Sequence, residues 1–304
     1  MRIGLMTGGA GDAASVDALI ADAKLAEDEG FAVYQMANIS SHDAIMSLAM
    51  AALQTDRIEF MSAVTPTYPR HPVAIAQQAL TAQSVSGGRF TLGIGLSHKF
   101  IIDDMLGMSF DRPARHMRQY LEVLMPLLHG EPAKTDGDQY RVAAELDVPG
   151  GTPVSCITAA LGPAMLKVTG ELADGTTLWM TGPKTIESHI APGLRVGTEA
   201  VGRPDARLIC SLPVLITHDA DAGRAQAAEQ FAAYSAIPSY RGMLDREGAD
   251  GPADVALIGG EEEVESQVRC IKDAGATDFC GHLFGDDEQM TRTRAFLAGL
   301  GGEL

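Results

Sequence analysis

The chain has 304 residues, of which 46% are hydrophobic, and its formal net charge is −17 at pH 7. This charge makes nucleic acid and anionic membrane surfaces poor partners, and no apolar run approaches the roughly 20 residues that cross a bilayer. The N-terminal residues enter an apolar run without the layout of a signal peptide. We therefore expect no nucleic-acid partner and no membrane association. The cysteine usage described next favours a reducing cytoplasm, so the protein is expected to be cytoplasmic.

The cysteines and histidines do not suggest a metal site. Four cysteines lack CxxC or zinc spacing, and three of them lie in apolar runs, where a free thiol behaves as a small hydrophobic group. No pair of histidines has ligand spacing with a carboxylate. We expect no bound metal and four free cysteines, namely Cys156, Cys210, Cys270 and Cys280.

Strands and helices alternate along the predicted secondary structure. Strands are predicted at residues 3–7, 31–36, 58–64, within 87–98, and at 154–160, 176–180, 208–217 and 277–283. Helices are predicted from Ser15 to Gly30, at 43–53, 72–86 and 113–129, from Pro163, from Pro183, within 219–246, and at 261–274 and 288–300. Residues 130–151 show no strong period and are predicted to be a polar excursion. Eight strand–helix units in series predict an α/β fold, a (β/α)8 barrel forming one domain over 1–304, with insertions after the fourth and seventh strands.

The fourth strand carries the most informative stretch, from Gly87 to His98. Gly93 and Gly95 lack a Cβ atom, so another backbone or a flat ligand can come close there. Ser97 and His98 follow at the carboxyl end of the strand, where parallel barrels place their chemistry. A dinucleotide fingerprint would require glycine at position 98, and a nucleophile elbow would require glycine at position 99, which is Lys99.

Several segments then resemble those of the luciferase-like family of flavin and deazaflavin enzymes, in the same order and over nearly the whole chain. They are SAVTP at 62–66, RHP at 70–72, SGGRFTLGIG at 86–95, ALGP at 160–163, ELADG at 171–175 and WMTGP at 179–183. The chain looks most similar to the branch that uses coenzyme F420. The resemblance implies an oxidoreductase that transfers a hydride between the deazaflavin carbon C5 and a small organic substrate. There are two alternatives: an FMN-dependent monooxygenase, and a barrel that binds a ligand without turnover. We also expect the protein to form a homodimer.

The resemblance also implies where the cofactor is bound. A non-proline cis peptide is expected at Ser62–Ala63, backing the ring. Asn38 is expected to contact the ring, although turn formation is the alternative role for this residue. Helix starts attract anions. The two predicted helices that begin at Gly162 and Gly182 are therefore expected to bind the cofactor phosphate, with Lys184 adding a positive charge. The alternative is that both are ordinary strand–helix connections and that Lys184 is solvated. The full set of expected cofactor-binding residues is Asn38, Ser62, Ala63, Val64, Thr65, Gly95, Leu96, Ser97, Ala160, Leu161, Gly162, Thr181, Gly182 and Lys184.

His98 is the predicted catalytic residue. It falls where sugar-phosphate-oxidising relatives carry a catalytic Glu, and an imidazole can transfer a proton near neutral pH. Its alternative role is to form a hydrogen-bonding wall of the pocket. Those relatives also carry a His near the end of the second strand, and here Ile39 and Ser40 follow Asn38 instead, so glucose-6-phosphate oxidation is not expected. The remaining histidines have lesser expected roles: His71 faces the pocket or caps a helix, and His116, His129 and His189 lie at the surface.

Overall fold

The computed structural model describes residues 1–8 and 15–301. The sequence also predicts a flexible, glycine-rich loop at 8–11 after the first strand, and of this loop only Gly8 lies within these ranges. No helix in the described ranges is long and apolar enough to cross a membrane.

The eight predicted strands begin and end close to where they were predicted, and four further short strands are present in the described ranges. The strands are β1 (Arg2–Thr7), β2 (Val33–Met36), β3 (Glu59–Ser62), β4 (Thr65–Pro66), β5 (Phe90–Gly95), β6 (Ala133–Asp136), β7 (Arg141–Ala144), β8 (Ser155–Ala159), β9 (Gly175–Trp179), β10 (Arg207–Ile216), β11 (Leu257–Gly259) and β12 (Asp278–Leu283). The four further strands are β4, β6, β7 and β11.

The helices follow the strands in alternation. They are α1 (Val16–Asp28), α2 (Ala44–Ala52), α3 (Pro72–Val85), α4 (Pro113–Leu128), α5 (Pro163–Leu172), α6 (Pro183–Thr185), α7 (Ala191–Ala200), α8 (Ala220–Gln230), α9 (Pro238–Glu247), α10 (Glu261–Asp273) and α11 (Asp287–Leu300). Helix α1 begins where predicted, because the Ser15 side chain accepts a hydrogen bond from the Ala18 N–H at 3.2 Å.

Eight of the strands form a closed parallel barrel, which confirms the predicted fold class. The ring runs β1, β2, β3, β5, β8, β9, β10 and β12, and β12 pairs with β1. Parallel pairing places all carboxyl ends of these strands at one end of the barrel, so the residues that follow each strand lie around a common opening.

The structure differs from the prediction where the local sequence signal is short. Residues 130–151 contain a hairpin, in which β6 and β7 pair antiparallel over four residues each. Strand β11 was not predicted, and it adds three residues to the outer side of β10. Two π-helical segments, Phe100–Met105 and Ile186–Ile190, lie in regions where no such distortion was predicted. In β6, β7 and β11, which have three or four residues each, alternation of apolar and polar residues covers too few positions to be recognised.

The middle of the barrel is filled by apolar side chains from several strands. Val33, Met61, Ile157, Ile209 and Cys280 form one buried cluster inside the ring. Cys156 and Cys210 are also buried, and burial raises the pKa of all three thiols, which therefore behave as small core residues as predicted.

A network of charges closes the amino end of the barrel. The Arg207 guanidinium donates to Glu59 on the opposite side of the ring at 2.7 Å and to Asp278 at 2.6 Å. Arg2 pairs with Glu59 at 2.6 Å. Burial alone would raise the pKa of Glu59, but Arg207, Arg2 and the Thr91 hydroxyl hold it below its usual value. Glu59 is therefore ionised at neutral pH, and its charge is balanced within the barrel.

Replacing Arg207 with Met should destabilise the protein by about 3 kcal/mol or more, because two carboxylates would be left without their main partner. Arg2→Met is the matched control. The Arg2 side chain is 42% exposed, against 19% for Arg207, so its loss should cost below about 1 kcal/mol. Urea unfolding at pH 7 measures both values. The contribution of Glu59 exists above its unfolded pKa and is lost as pH falls through its lower folded pKa, so the difference between Arg207→Met and wild type should narrow in acid. Equal costs for the two variants at pH 7 would contradict this account.

Candidate functional site

A cavity of about 700 Å³ opens at the carboxyl end of the barrel. Its walls come from the bulge after β3, the ends of β5 and β8, the segment that follows β5, and the first turn of α9. The lining residues are Val64, Gly95, Leu96, Ser97, His98, Lys99, Phe100, Asp104, Phe110, Pro113, Ala159, Leu161, Gly162, Met165, Ile237, Pro238, Ser239 and Tyr240. The structure therefore brings together seven of the predicted site residues: Val64, Gly95, Leu96, Ser97, His98, Leu161 and Gly162.

A second, smaller cavity of about 470 Å³ lies at the amino end. Its lining includes Arg2 and Arg207, which both pair with Glu59. The lining also includes Arg89, whose guanidinium donates to three backbone carbonyls and the Thr55 hydroxyl. The cations of this cavity thus serve internal contacts, and the carboxyl-end cavity is the candidate active site.

The third strand is interrupted by a bulge where it borders this site. Pairing of β3 with β5 ends near Ser62, and β4 resumes the pairing at Thr65. A non-proline cis peptide lies in the bulge between Ala63 and Val64. The predicted position, Ser62–Ala63, was therefore wrong by one residue. Ser62 still belongs to the paired region, because its hydroxyl donates to the Gly93 C=O at 2.8 Å and accepts from the Gly93 N–H at 3.0 Å.

The two glycines of β5 are required by close neighbours. A Cβ atom at Gly93 would lie 1.7 Å from the Ser62 carbonyl oxygen, and one at Gly95 would lie 2.5 Å from Val64 Cγ2. Gly93 thus admits another backbone, which was one of the two predicted reasons for glycine here. Gly95 borders the cavity and accommodates the Val64 side chain.

His98 lies in the cavity wall between two aromatic rings. The Phe100 ring is parallel to the imidazole with centroids 5.9 Å apart, and the Tyr240 ring meets it edge-on at 5.6 Å. Partial burial lowers the pKa of His98, so its imidazole is neutral at pH 7. Ser97, just before it, has a φ of 61°, a left-handed conformation that is uncommon outside glycine and turns the chain at this point.

The two predicted phosphate-binding sites, at the starts of α5 and α6, differ in the structure. Gly162 lines the cavity at the start of α5, and a Cβ atom built there would meet nothing within 4 Å. At the start of α6, the Glu247 carboxylate already accepts hydrogen bonds from the N–H groups of Lys184 at 3.1 Å and Thr185 at 2.8 Å. The prediction of a phosphate seat at Thr181, Gly182 and Lys184 is therefore corrected: the anion at this helix start belongs to the chain itself.

The other predicted contacts lie around the cavity without lining it. Asn38 Oδ1 accepts from the Ala44 N–H at 2.9 Å, which is the turn-stabilising role named above as its alternative. Ala63 N–H donates to the Met36 carbonyl at 2.7 Å, and Ala160 N–H donates to the Thr176 hydroxyl at 3.2 Å. Thr65 is fully buried, and its hydroxyl has no hydrogen-bond partner in the part of the chain that the structure describes.

An aromatic wall at the barrel mouth was not predicted. Trp179, at the end of β9, packs against Tyr234 at 5.7 Å, and Tyr234 packs against Tyr240 at 5.3 Å. On its other side Trp179 meets His282 of β12 at 5.6 Å. His282 is buried beside the Met6 carbonyl. A signal existed for His282, since it lies two residues after the inward-facing Cys280 near the end of the last strand. Tyr234 and Tyr240 come from the helical insertion after β10, and no local pattern places them at the site.

Two other histidines differ from expectation. His116 was predicted at the surface and is instead buried, stacked on Tyr68 at 4.0 Å and hydrogen-bonded to the Thr67 hydroxyl at 2.9 Å. Burial lowers the pKa of His116 to about 4. His189, also predicted at the surface, is partly buried and contacts the Leu161 carbonyl at 2.8 Å. His71 caps α3 by accepting from the Val73 N–H at 3.2 Å, one of its two expected roles. Within the described ranges no cluster of His, Cys, Asp and Glu is placed to hold a metal ion.

A parallel barrel with a bulged third strand and a mostly apolar cavity at its carboxyl end defines a class of ligand-binding (β/α)8 barrels. The family model described as luciferase-like monooxygenase matches residues 1–295, and the chain belongs to this family.

Relatives within the family carry different names. The chain is 31% identical over 232 residues to 5,10-methylenetetrahydromethanopterin reductase of Archaeoglobus fulgidus, covering 74% of this chain and 68% of that protein. The fold matches the coenzyme F420-dependent tetrahydromethanopterin reductase from Methanopyrus kandleri with a TM-score of 0.82 at 22% identity, covering 100% of this chain and 98% of that chain. It also matches the oxygenating constituent of 3,6-diketocamphane monooxygenase from Pseudomonas putida, in complex with FMN, with a TM-score of 0.75 at 16% identity, covering 98% and 96%. At these identities the two solved structures show the fold alone.

Gly93→Ala should destabilise the protein by about 1–3 kcal/mol or more, because the new methyl group meets a backbone oxygen that cannot move without opening the bulge. Gly95→Ala is the matched control, since its new methyl group meets the movable side chain of Val64. Urea unfolding of both variants measures the difference. A Gly93→Ala protein as stable as Gly95→Ala would show that the Ser62 carbonyl does not require glycine at position 93.

Proposed function

We propose that the protein is a coenzyme F420-dependent oxidoreductase that transfers a hydride between the deazaflavin carbon C5 and a small organic substrate. The observation that supports this most directly is the carboxyl-end cavity, which gathers Val64, Gly95, His98 and Gly162 around one space. The similarity to a methylenetetrahydromethanopterin reductase at 31% identity, and the fold shared with an F420-dependent enzyme of that kind, support this cofactor class.

The residues at the site fit such a cofactor. The cavity volume of about 700 Å³ lies in the range of small-molecule sites. The start of α5 at Gly162 opens on the cavity, so its N–H groups and dipole favour a phosphate.

In this proposal the bulge at Ala63–Val64 and Gly95 support the ring, and Ser97, Leu161 and Gly162 bind the chain that carries the phosphate. When bound, the deazaflavin supplies a hydride donor or acceptor at C5. The protein positions the substrate against it and excludes water, and His98 holds or delivers the accompanying proton at its imidazole nitrogen. Because burial keeps His98 neutral at pH 7, one ring nitrogen carries a proton and the other accepts one.

FMN is the competing cofactor, since a barrel of the same fold binds it. We predict that the purified protein binds coenzyme F420 more tightly than FMN in a fluorescence titration. Equal or tighter binding of FMN would replace this proposal with the FMN-dependent monooxygenase, and binding of F420 without hydride exchange over a broad substrate panel would favour a ligand-binding barrel.

Position 162 offers a sharper test of the phosphate seat. Gly162→Asp should weaken F420 binding by about 1–2 kcal/mol or more, the scale of a charge-assisted hydrogen bond, because it places a carboxylate at the α5 start. Asp is a favoured N-cap residue and its Cβ meets no atom, so the fold should persist. Gly162→Asn controls for size and capping and should weaken binding less. Lys184→Ala should leave affinity unchanged, since Lys184 is exposed at the helix start that Glu247 occupies.

His98→Gln and His98→Ala should lower kcat with little change in the dissociation constant of F420. General acid–base assistance is typically worth about 10²–10⁴-fold in rate, whereas a neutral imidazole contributes little to holding a phosphate. Steady-state kinetics with an accepted substrate, together with the F420 titration, separate the two effects. A loss smaller than about threefold in both variants would leave His98 as a wall of the pocket only.

A further inference from the structure

The inner surface of the candidate active site is mostly apolar. Most of the lining side chains are aliphatic or aromatic: Val64, Leu96, Phe100, Phe110, Pro113, Leu161, Met165, Ile237, Pro238 and Tyr240. His98 projects from this surface as the main polar group close to the β5 end. A ligand held here gains mainly from burial of apolar area.

The charged side chains of the lining offer no free cation to a substrate, and the α5 start at Gly162 is assigned to the cofactor phosphate by the proposed function. The charged residues are Lys99 and Asp104. Lys99 is 75% exposed at its side chain and is already paired with Asp103, four residues along the chain. Asp104 contributes a negative charge at the opening. A carboxylate or phosphate on the substrate would therefore be taken from water without a free cation to receive it, which is costly.

The neighbouring helix start is closed to anions as well. Glu247, the last residue of α9, occupies the N–H groups of Lys184 and Thr185. A Cβ atom at Gly182 would lie 2.4 Å from Glu247 Cδ, so the carboxyl group fills the space above this glycine. Helix α9 is held there by a further bond from the Thr185 hydroxyl to the Met243 carbonyl at 3.3 Å. The same helix contributes Pro238, Ser239 and Tyr240 to the cavity wall.

The outer edge of the cavity continues the apolar surface. The segment after β5 exposes Phe100 (50%), Met105 (70%), Leu106 (46%) and Met108 (37%). Phe100 also lines the cavity, and Met105, Leu106 and Met108 follow it along the chain outside the cavity lining. Side chains of this kind are normally buried, and their exposure beside a ligand cavity suits a molecule that is longer than the cavity is deep.

Resting on the proposed function, we propose that the substrate is a neutral, largely apolar organic molecule with one polar reacting group placed at His98. We further propose that Asp104 disfavours anionic substrates at the opening, and that Glu247 keeps the α6 helix start, which lies outside the cavity lining, from binding anions.

The first experiment compares two probes of equal chain length, 2-octanone and 7-oxooctanoate, by calorimetric titration into the protein in a buffer with saturating inorganic phosphate, which occupies the α5 start at Gly162. We expect the ketone to bind at least tenfold more tightly. Asp104→Lys should bring the carboxylate probe to within a few-fold of the ketone. Asp273→Lys, which makes the same change in net charge at the end of α10, should leave the preference unchanged. Equal binding of both probes to wild type, or no binding of either, would overturn the proposal.

The second experiment tests Glu247 with inorganic phosphate alone. Wild type, Glu247→Ala and Glu247→Ser are titrated while the midpoint of thermal unfolding is followed. We expect phosphate to stabilise both variants more than wild type, because the freed N–H groups and Lys184 form a new anion site, and stabilisation follows ligand saturation. Adding Lys184→Ala to either variant should reduce the gain. The seat at Gly162 is common to all these proteins and cancels in the comparison. An identical phosphate response in all proteins would overturn the role of Glu247.

Neither experiment uses coenzyme F420 or turnover. A protein that prefers FMN would contradict the proposed function and still give an answer on substrate charge. Loss of the preference for the neutral probe in a protein that binds F420 would contradict only the inference drawn from the cavity.

Discussion

Closure of the parallel barrel is the constraint on which the rest of the structure depends, and the two ends of the ring satisfy it differently. At the amino end, Arg207 reaches across to Glu59 and also binds Asp278, so the charges are balanced by internal partners. At the carboxyl end, glycines and a bulge leave space, and the buried Thr65 hydroxyl and Trp179 indole N–H have no hydrogen-bond partner in the described part of the chain. Unsatisfied buried donors are costly, and both groups lie at the end of the barrel where the cavity opens, at the start of β4 and the end of β9.

The bulge after β3 depends on the packing of β5. Ser62 binds both backbone polar groups of Gly93, and the chain between Ser62 and Thr65 then leaves the sheet beside Gly95. Glycine at positions 93 and 95 is what allows the two strands to approach this closely. The same local sequence therefore specifies a strand, its distorted neighbour and one wall of the cavity.

Elements with strong local signals were predictable, and those that depend on distant partners were not. Helix starts at Ser15 and Pro72 and strands with long apolar runs lie where the sequence placed them. The hairpin of β6 and β7 and the short strand β11 gain their stability from pairing partners, which periodicity does not report. The same holds within the site. Residues next to one another on β5 and its exit were found together, whereas the contributions of Tyr240 and Glu247 come from an insertion after β10. Glu247 is 62 residues from the Thr185 N–H that it binds.

The starts of α5 and α6 show which property of a helix start can be predicted from local sequence and which cannot. Both begin with a Gly–Pro pair after a barrel strand, and both have the free N–H groups and dipole that attract an anion. Local physics gives them the same preference. They differ because helix α9 brings a carboxylate to one of them and leaves the other open to the cavity. The anion preference of a helix start is thus a property of sequence, whereas the identity of the anion is decided by whichever negative group the fold brings within reach. In a chain with a net charge of −17, carboxylates are abundant, so an internal one filling such a seat is the expected competitor of any phosphate.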